Sequence, residues 1–408
     1  MAASTSGISS RSGWSMFAKR GCVRWLATLC LVWHAGTGHA MPVVETSGSI
    51  GPEVWLFNRP PAFQAQHQHA AALVLNLGWI VTHPMYPGVT GRLTPYVRLD
   101  VSDPDMRYFD FREATVRAER GDNLWQAGME TLDWSVMESR HPVNIINQID
   151  TRADIDLEAK LGQPMLSYTR FSEAYGRLAV YWMPWFRPRP QLGLRSRQRM
   201  GPLAPEAPSH GLAPWQRTND IAVRWSGTIA DADVGAYYFD GLSREPTIAP
   251  DLTTAYQRIR QLGVTGVLPA GSMLWKGEAI FRWGQGAPFG AYIVGAEYTF
   301  ARPDGDLSLL FEYLRDHRDA SAPFTPFTHG PFAGVRIRLN ESGDAELQYG
   351  VLHDRATRIL MHKLEFSRRF GKSARLRLVA RKASCNGDSV FEALCRDSML
   401  QVNLTHNF

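Results

Sequence analysis

Residues 398–408 alternate between two kinds of side chain. Leu400, Val402, Leu404 and Phe408 fall on one side of an extended chain, and Gln401, Asn403, Thr405 and Asn407 on the other. A β-strand sends successive side chains to opposite faces, so this segment presents one apolar and one wet surface. Any half-buried strand does the same. What constrains the fold is that the two-residue period recurs through most of the chain.

Ala374, Leu376, Leu378 and Ala380 alternate with Arg375, Arg377 and Arg381. Leu360, His362, Leu364, Phe366 and Phe370 alternate with Met361, Lys363, Glu365 and Arg369. The same holds for Ala333, Val335, Ile337 and Leu339 against Arg336 and Arg338, and for Trp275, Ala279, Phe281 and Trp283 against Lys276, Glu278 and Arg282. The connections sort by length. Short reversals rich in Gly, Asp, Asn and Ser occur at 120–122, 172–174, 230–231, 302–306, 340–344 and 371–373. Between them lie long connections at 131–163, 184–217, 241–251, 320–330 and 383–396.

Two-faced strands joined alternately by tight turns and long loops predict an all-β fold, a transmembrane antiparallel up-and-down β-barrel. Its tight turns and C-terminus belong on the periplasmic side, with long extracellular loops near 131–163 and 184–217. The one poor fit is 261–270, a periplasmic connection longer than its peers. Bacterial barrels close with an even number of strands, and about seventeen are visible between residues 72 and 408. Parity places the missing one near 50–57, giving about eighteen strands, with sixteen as the alternative. A barrel that wide has room for an aqueous lumen. A periplasmic propeller or sandwich would share the alternation, but not the sorted turns or the terminal Phe.

The first forty residues read as a cleaved export signal: a basic region at Lys19, Arg20 and Arg24, an apolar stretch over 25–35, and a small-x-small site at Gly38-His39-Ala40. Residues 41–408 then form a single barrel. Residues 1–40 hold four basic and no acidic residues, leaving forty basic against thirty-nine acidic beyond them. That balance gives no support to nucleic-acid binding. Cys385 and Cys395 remain, ten residues apart in one loop, and read as a loop-clamping disulfide. Two thiols supply only half a zinc shell, so neither a metal nor a cofactor is expected.

Lumen-facing charge carries the functional reading. The last five strands place Arg336, Arg338, Lys363, Arg369, Arg375, Arg377 and Arg381 inward, against Glu346 and Glu365. Earlier strands are balanced, with Arg98, Arg117, Arg177, Arg224, Lys276 and Arg282 set among Glu113, Glu119, Glu278, Glu297 and Glu312. A basic wall in an aqueous passage concentrates anions, and guanidinium groups suit carboxylates. Alternatively, Arg and Glu on neighbouring strands pair to rigidify the barrel. The 184–217 loop carries Arg187, Arg189, Arg195, Arg197, Arg199 and Arg217 with one acid, Glu206. Folded inward it would form an anion-selective collar; left outside it would meet the phosphates of lipopolysaccharide. The 131–163 loop mixes both signs and is expected against the lumen wall.

Catalytic alternatives are sparse. Ser209-His210-Gly211 and Thr328-His329-Gly330 lack a convincing partner acid, and Asp316, His317, Asp319, His353 and Asp354 could form an Asp/His pair at the outer rim.

Arg112-Glu113-Ala114, Trp125-Gln126-Ala127-Gly128, Trp134 and Pro142-Val143-Asn144 resemble outer-membrane porin-like proteins related to alginate exporters. So do residues 181–186, Trp275-Lys276-Gly277-Glu278-Ala279, 282–286 and 295–300. The resemblance spans roughly 72–408 and implies a passive channel for a polysaccharide or small solutes. It also implies an arginine-lined pore, from which the lumenal acids of the earlier strands depart. The expectation is a non-enzymatic channel for small or oligomeric solutes, anionic ones included. Its partners are outer-membrane lipid, lipopolysaccharide and the diffusing solute; the alternatives are a rim-active hydrolase of lipid or peptide and a structural or adhesive barrel.

Overall fold

The structure, a computed structural model, describes residues 41–154, 156, 158–190, 192–199, 215–248, 254–340, 343–385 and 392–408. The expected export signal at 1–40 lies outside them, as do Ser209, His210 and Gly211. Among the described residues, eighteen antiparallel strands form one sheet. The first, Val43–Phe57, pairs with His69–Thr82 on one side and with the last, Met399–Asn407, on the other, so the sheet closes on itself. The strand that parity demanded is this first one. Apart from a two-residue ribbon, Thr247–Ile248 with Thr254–Ala255, every described strand belongs to the barrel.

The tight turns fall where composition placed them, as between Tyr108–Arg120 and Asn123–Glu130 and between Leu360–Phe370 and Ala374–Ser384. Segment 261–270 is a correction. It is not a long connection but part of the strand Arg258–Ala270, which pairs with Ala232–Leu242 and Met273–Trp283. Its outward stripe is thin, with only Leu262, Val264 and Leu268 exposed, and Gly263, Gly266 and Pro269 read as loop punctuation. Gly263 has a packing reason instead: a Cβ there would sit 2.1 Å from the Tyr237 ring.

The apolar stripes face outward. Trp275, Phe281, Val294, Phe311 and Leu404 are exposed on the outer surface of a single closed sheet. Such a surface is stable against hydrocarbon and not against water. At the seam, the Phe408 and Gly48 backbones exchange hydrogen bonds of 2.9 and 3.0 Å, and a Cβ on Gly48 would meet the Phe408 ring. On the lumen side of the seam, Glu53 accepts from Arg98 at 2.5 Å, Gln401 at 3.0 Å and Asn403 at 2.8 Å. Cys385 and Cys395 are joined, with their Cα atoms 5.9 Å apart. The disulfide ties a five-residue helix, Glu392–Arg396, to the strand Ala374–Ser384.

Candidate functional site

Residues 131–162 leave the strand Asn123–Glu130 and turn into the barrel, returning to the wall at Gln163–Ser172. This segment folds into the lumen, against the wall. Sequence physics gives the reason, because Trp134, Met137, Val143, Ile145 and Ile146 are too apolar for a solvated loop, and all are buried. The wall answers them. On ten successive strands, from Gln163–Ser172 to Glu346–His353, an inward apolar side chain joins these buried clusters, Tyr181, Phe239, Ile293 and Leu352 among them. The Trp134 ring lies 4.8 Å from Tyr237 and 5.7 Å from Tyr181. Each fully buried large apolar side chain contributes roughly 1.5–3 kcal/mol, so this contact alone can hold the segment in place.

Two buried carboxylates fix its entry. Glu278 accepts from the Val136 N–H at 2.6 Å, the Met137 N–H at 3.2 Å and the Ser135 hydroxyl at 2.5 Å. Glu312 accepts from the Glu138 and Ser139 N–H groups at 2.7 and 2.8 Å and from the Ser139 hydroxyl at 2.6 Å. Backbone donors that would otherwise be orphaned in the lumen are thereby paired. Ser135 also lies 2.7 Å from His141 Nδ1. Burial pushes the His141 imidazole down to about 4, so it is neutral at neutral pH. Because the serine hydroxyl is shared with Glu278, the group reads as a clasp and not as a nucleophile with its base.

The polar face of the segment meets the charged wall. Glu138 binds Arg336 at 2.7 Å and Gln348 at 2.8 Å. Asp150 binds Arg112 at 2.9 Å and Arg152 at 3.0 Å. Asp156 binds Lys363 at 2.8 Å and Arg381 at 3.0 Å. Burial raises each carboxyl, but the cations outweigh it and hold all three below the usual carboxylate range, Glu138 with help from Gln348.

Most of the charge on the predicted lumen residues is met by acids. Arg336 also binds Glu297 at 3.2 Å, Arg338 binds Glu346 at 3.2 Å, Arg369 binds Asp344 at 2.7 Å, and Arg377 binds Glu365 at 2.6 Å. Lys276 pairs with Glu297 at 3.2 Å, and Arg282 with Glu245 and Gln261. Arg224 stacks 5.1 Å from the Trp134 ring. Arg375 is exposed near the tight turns, opposite Arg369 in register. The basic wall is therefore a set of ion pairs. Counting strand residues missed the acids that the inserted segment brings to it.

The arginine loop is not a free anion-selective collar either. Of its described residues, 184–190 leave the strand Gly176–Trp185 and 192–199 lie at the seam, while 215 and 216 hydrogen-bond back to Phe186. Arg187 binds Asp110 at 2.9 Å, and Arg189 donates to the Arg244 carbonyl at 3.1 Å and to Gln148 at 3.4 Å. At the seam Arg197 is buried and binds Asp397 at 2.8 Å, while Gln66 donates to the Ser196 and Arg199 carbonyls at 3.0 and 3.2 Å. Arg199 stacks 4.8 Å from Phe63, and Arg195 is exposed.

Among the described residues, the rim groups considered for catalysis make other contacts. Asp354 accepts from the Thr328, His329 and Thr357 N–H groups at 2.6, 2.7 and 2.7 Å, and Asp316 holds Arg318 at 2.8 Å. His317 and His353 are exposed, and His329 meets the Tyr313 hydroxyl at 2.7 Å.

No family model matches the chain, and no curated protein matches it. Among solved structures, a BenF-like porin from Pseudomonas fluorescens Pf-5 is similar at 9% identity, over 90% of this chain and 98% of its own, with a TM-score of 0.53. A mutant of the Rh. blastica porin is 11% identical over 90% of this chain and 100% of its own, with a TM-score of 0.44. At such identities the likeness is one of fold. The BenF-like porin carries it: this chain has a porin-like outer-membrane β-barrel fold.

Proposed function

We propose that this chain is a passive outer-membrane channel for small solutes, without enzymatic activity, whose bore is set by segment 131–162. The observation that carries this is the docking of that segment inside an eighteen-strand barrel by an apolar face on one side and ion pairs on the other. A structural or adhesive barrel needs no such internal element, and a hydrolase needs an assembled nucleophile, base and acid. The relation to alginate exporters is a finer reading, and a segment docked inside the lumen narrows the passage, which supports small solutes over a polymer. Since acids of the segment meet the cations of the wall, only a modest preference for anions is expected.

Reconstitution in planar bilayers tests this reading. Discrete conductance steps with a reversal potential near zero in a salt gradient are expected. Absence of steps from correctly folded protein would overturn the channel assignment, and strong cation preference would overturn the charge argument.

A further inference from the structure

The outer surface carries one feature that neither lipid contact nor passage explains. On four of five neighbouring strands the outward apolar stripe ends, at the long-loop rim, in a basic or imidazole side chain, and on the fifth, Leu360–Phe370, His362 lies one outward position inside Leu360. Arg315 follows Phe311 and Tyr313, His329 lies beyond Ala333 and Pro331, and His353 follows Val351. His362 lies beyond Leu364, and Lys382 follows Ala380. These positions adjoin one another in the sheet: Arg315 pairs with His329, His362 pairs with Lys382 and Val351, and the Arg355 N–H donates to the His329 carbonyl at 2.7 Å. At about 4.8 Å between strands the arc spans roughly 20 Å.

Two tyrosines hold imidazoles in the arc, Tyr313 on His329 and Tyr349 on His362, each at 2.7 Å. Of the nearby acids, Asp316 binds Arg318 and Asp354 caps backbone N–H groups, while Asp319 is exposed and accepts from the Ser321 hydroxyl. Elsewhere on the rim such residues occur singly, as His69 and Arg217 do. The strand Met273–Trp283 ends in an aromatic, and Arg258 and Arg260 share Asp240 at 2.6 and 3.2 Å.

We propose that this arc, Arg315, Arg355 and Lys382 with the histidines between them, is a docking site for the phosphorylated headgroup of an outer-leaflet glycolipid, bisphosphorylated lipid A. Charge complementarity selects the occupant: cations placed directly above an apolar stripe lie where acyl chains give way to phosphates. The site rests on the barrel standing in the outer membrane with its long loops outward.

The test titrates full-length protein in detergent with bisphosphorylated lipid A, dephosphorylated lipid A and inorganic phosphate, read by native mass spectrometry. Wild type should bind the bisphosphorylated lipid on the order of tenfold or more tightly than an Arg315→Ala/Arg355→Ala/Lys382→Ala variant. An Arg258→Ala/Arg260→Ala variant should match wild type. Lys382→Ala alone should show a smaller loss if the triple variant folds poorly. Equal binding of dephosphorylated lipid A, or unchanged affinity in the triple variant, would overturn the site. Inorganic phosphate that displaces the lipid at similar concentration would make it a free-anion site and overturn the lipid assignment. Conductance of the same preparations separates the two ideas, because loss of lipid binding leaves the channel reading untouched.

Discussion

The lumen is walled in two ways, and the inserted segment touches both. From Gln163–Ser172 round to Glu346–His353 the wall offers apolar side chains to Trp134, Val143 and Ile146. On the strands Leu360–Phe370 and Ala374–Ser384 it offers Lys363 and Arg381 to Asp156. Apolar burial does not weaken as simple salt rises, whereas partly hydrated ion pairs weaken as salt rises or carboxylates protonate. The first contact should therefore decide whether the segment stays inside, and the second where its acidic tip lies and which ions pass.

The largest effect is expected at the apolar contact. Trp134→Ala removes a buried indole and should cost about 3–5 kcal/mol of docking stability, seen as a lower melting temperature and noisier, larger conductance. A change no greater than that of a surface substitution would break the comparison at its stronger half. Next come the carboxylate clasps. Glu278→Gln and Glu312→Gln each weaken hydrogen bonds to a charged acceptor worth about 1.5–3 kcal/mol apiece. Faster hydrogen exchange at Val136, Met137, Glu138 and Ser139 should report it.

The ionic half should act on selectivity more than on stability. Asp156→Asn leaves Lys363 and Arg381 without that partner, so the reversal potential in a salt gradient should move toward anions by several millivolts. A shift toward cations would contradict the ion-pair account. The smallest effect is with pH. Burial opposes charge on Glu245, yet Arg282 and Arg318 draw its carboxyl from an ordinary 4.5 to about 2. A depressed carboxyl stabilises fully above its ordinary value, and that contribution is lost as pH falls through the folded one. The melting temperature should decline between pH 4.5 and 2, and Glu245→Gln should flatten that decline.

The outer half of most strands was legible because lipid accepts only apolar side chains there, so period two is enforced from Leu309 and Phe311 to Leu404. The strand Arg258–Ala270 escaped because Gly266, between Val264 and Leu268, leaves a gap in its outward stripe. The inner wall was half legible. Charged positions such as Arg336 and Lys363 stood out, but inward Tyr181, Phe239 and Ile293 broke the expectation of a polar lumen. The signal that could have found them lay in the segment, since Trp134, Val143, Ile145 and Ile146 in a long loop require an apolar surface to meet. Pairing partners such as Glu138 with Arg336, far apart in sequence, follow from the segment's path and not from any local pattern.

The most direct measurement is single-channel conductance of wild type beside a variant in which residues 136–159 are replaced by a short Gly/Ser linker. Small steps from the wild type and steps several times larger from the variant are predicted. Equal steps from the two folded proteins would show that ions bypass the segment, and it would then not be the element that sets the bore.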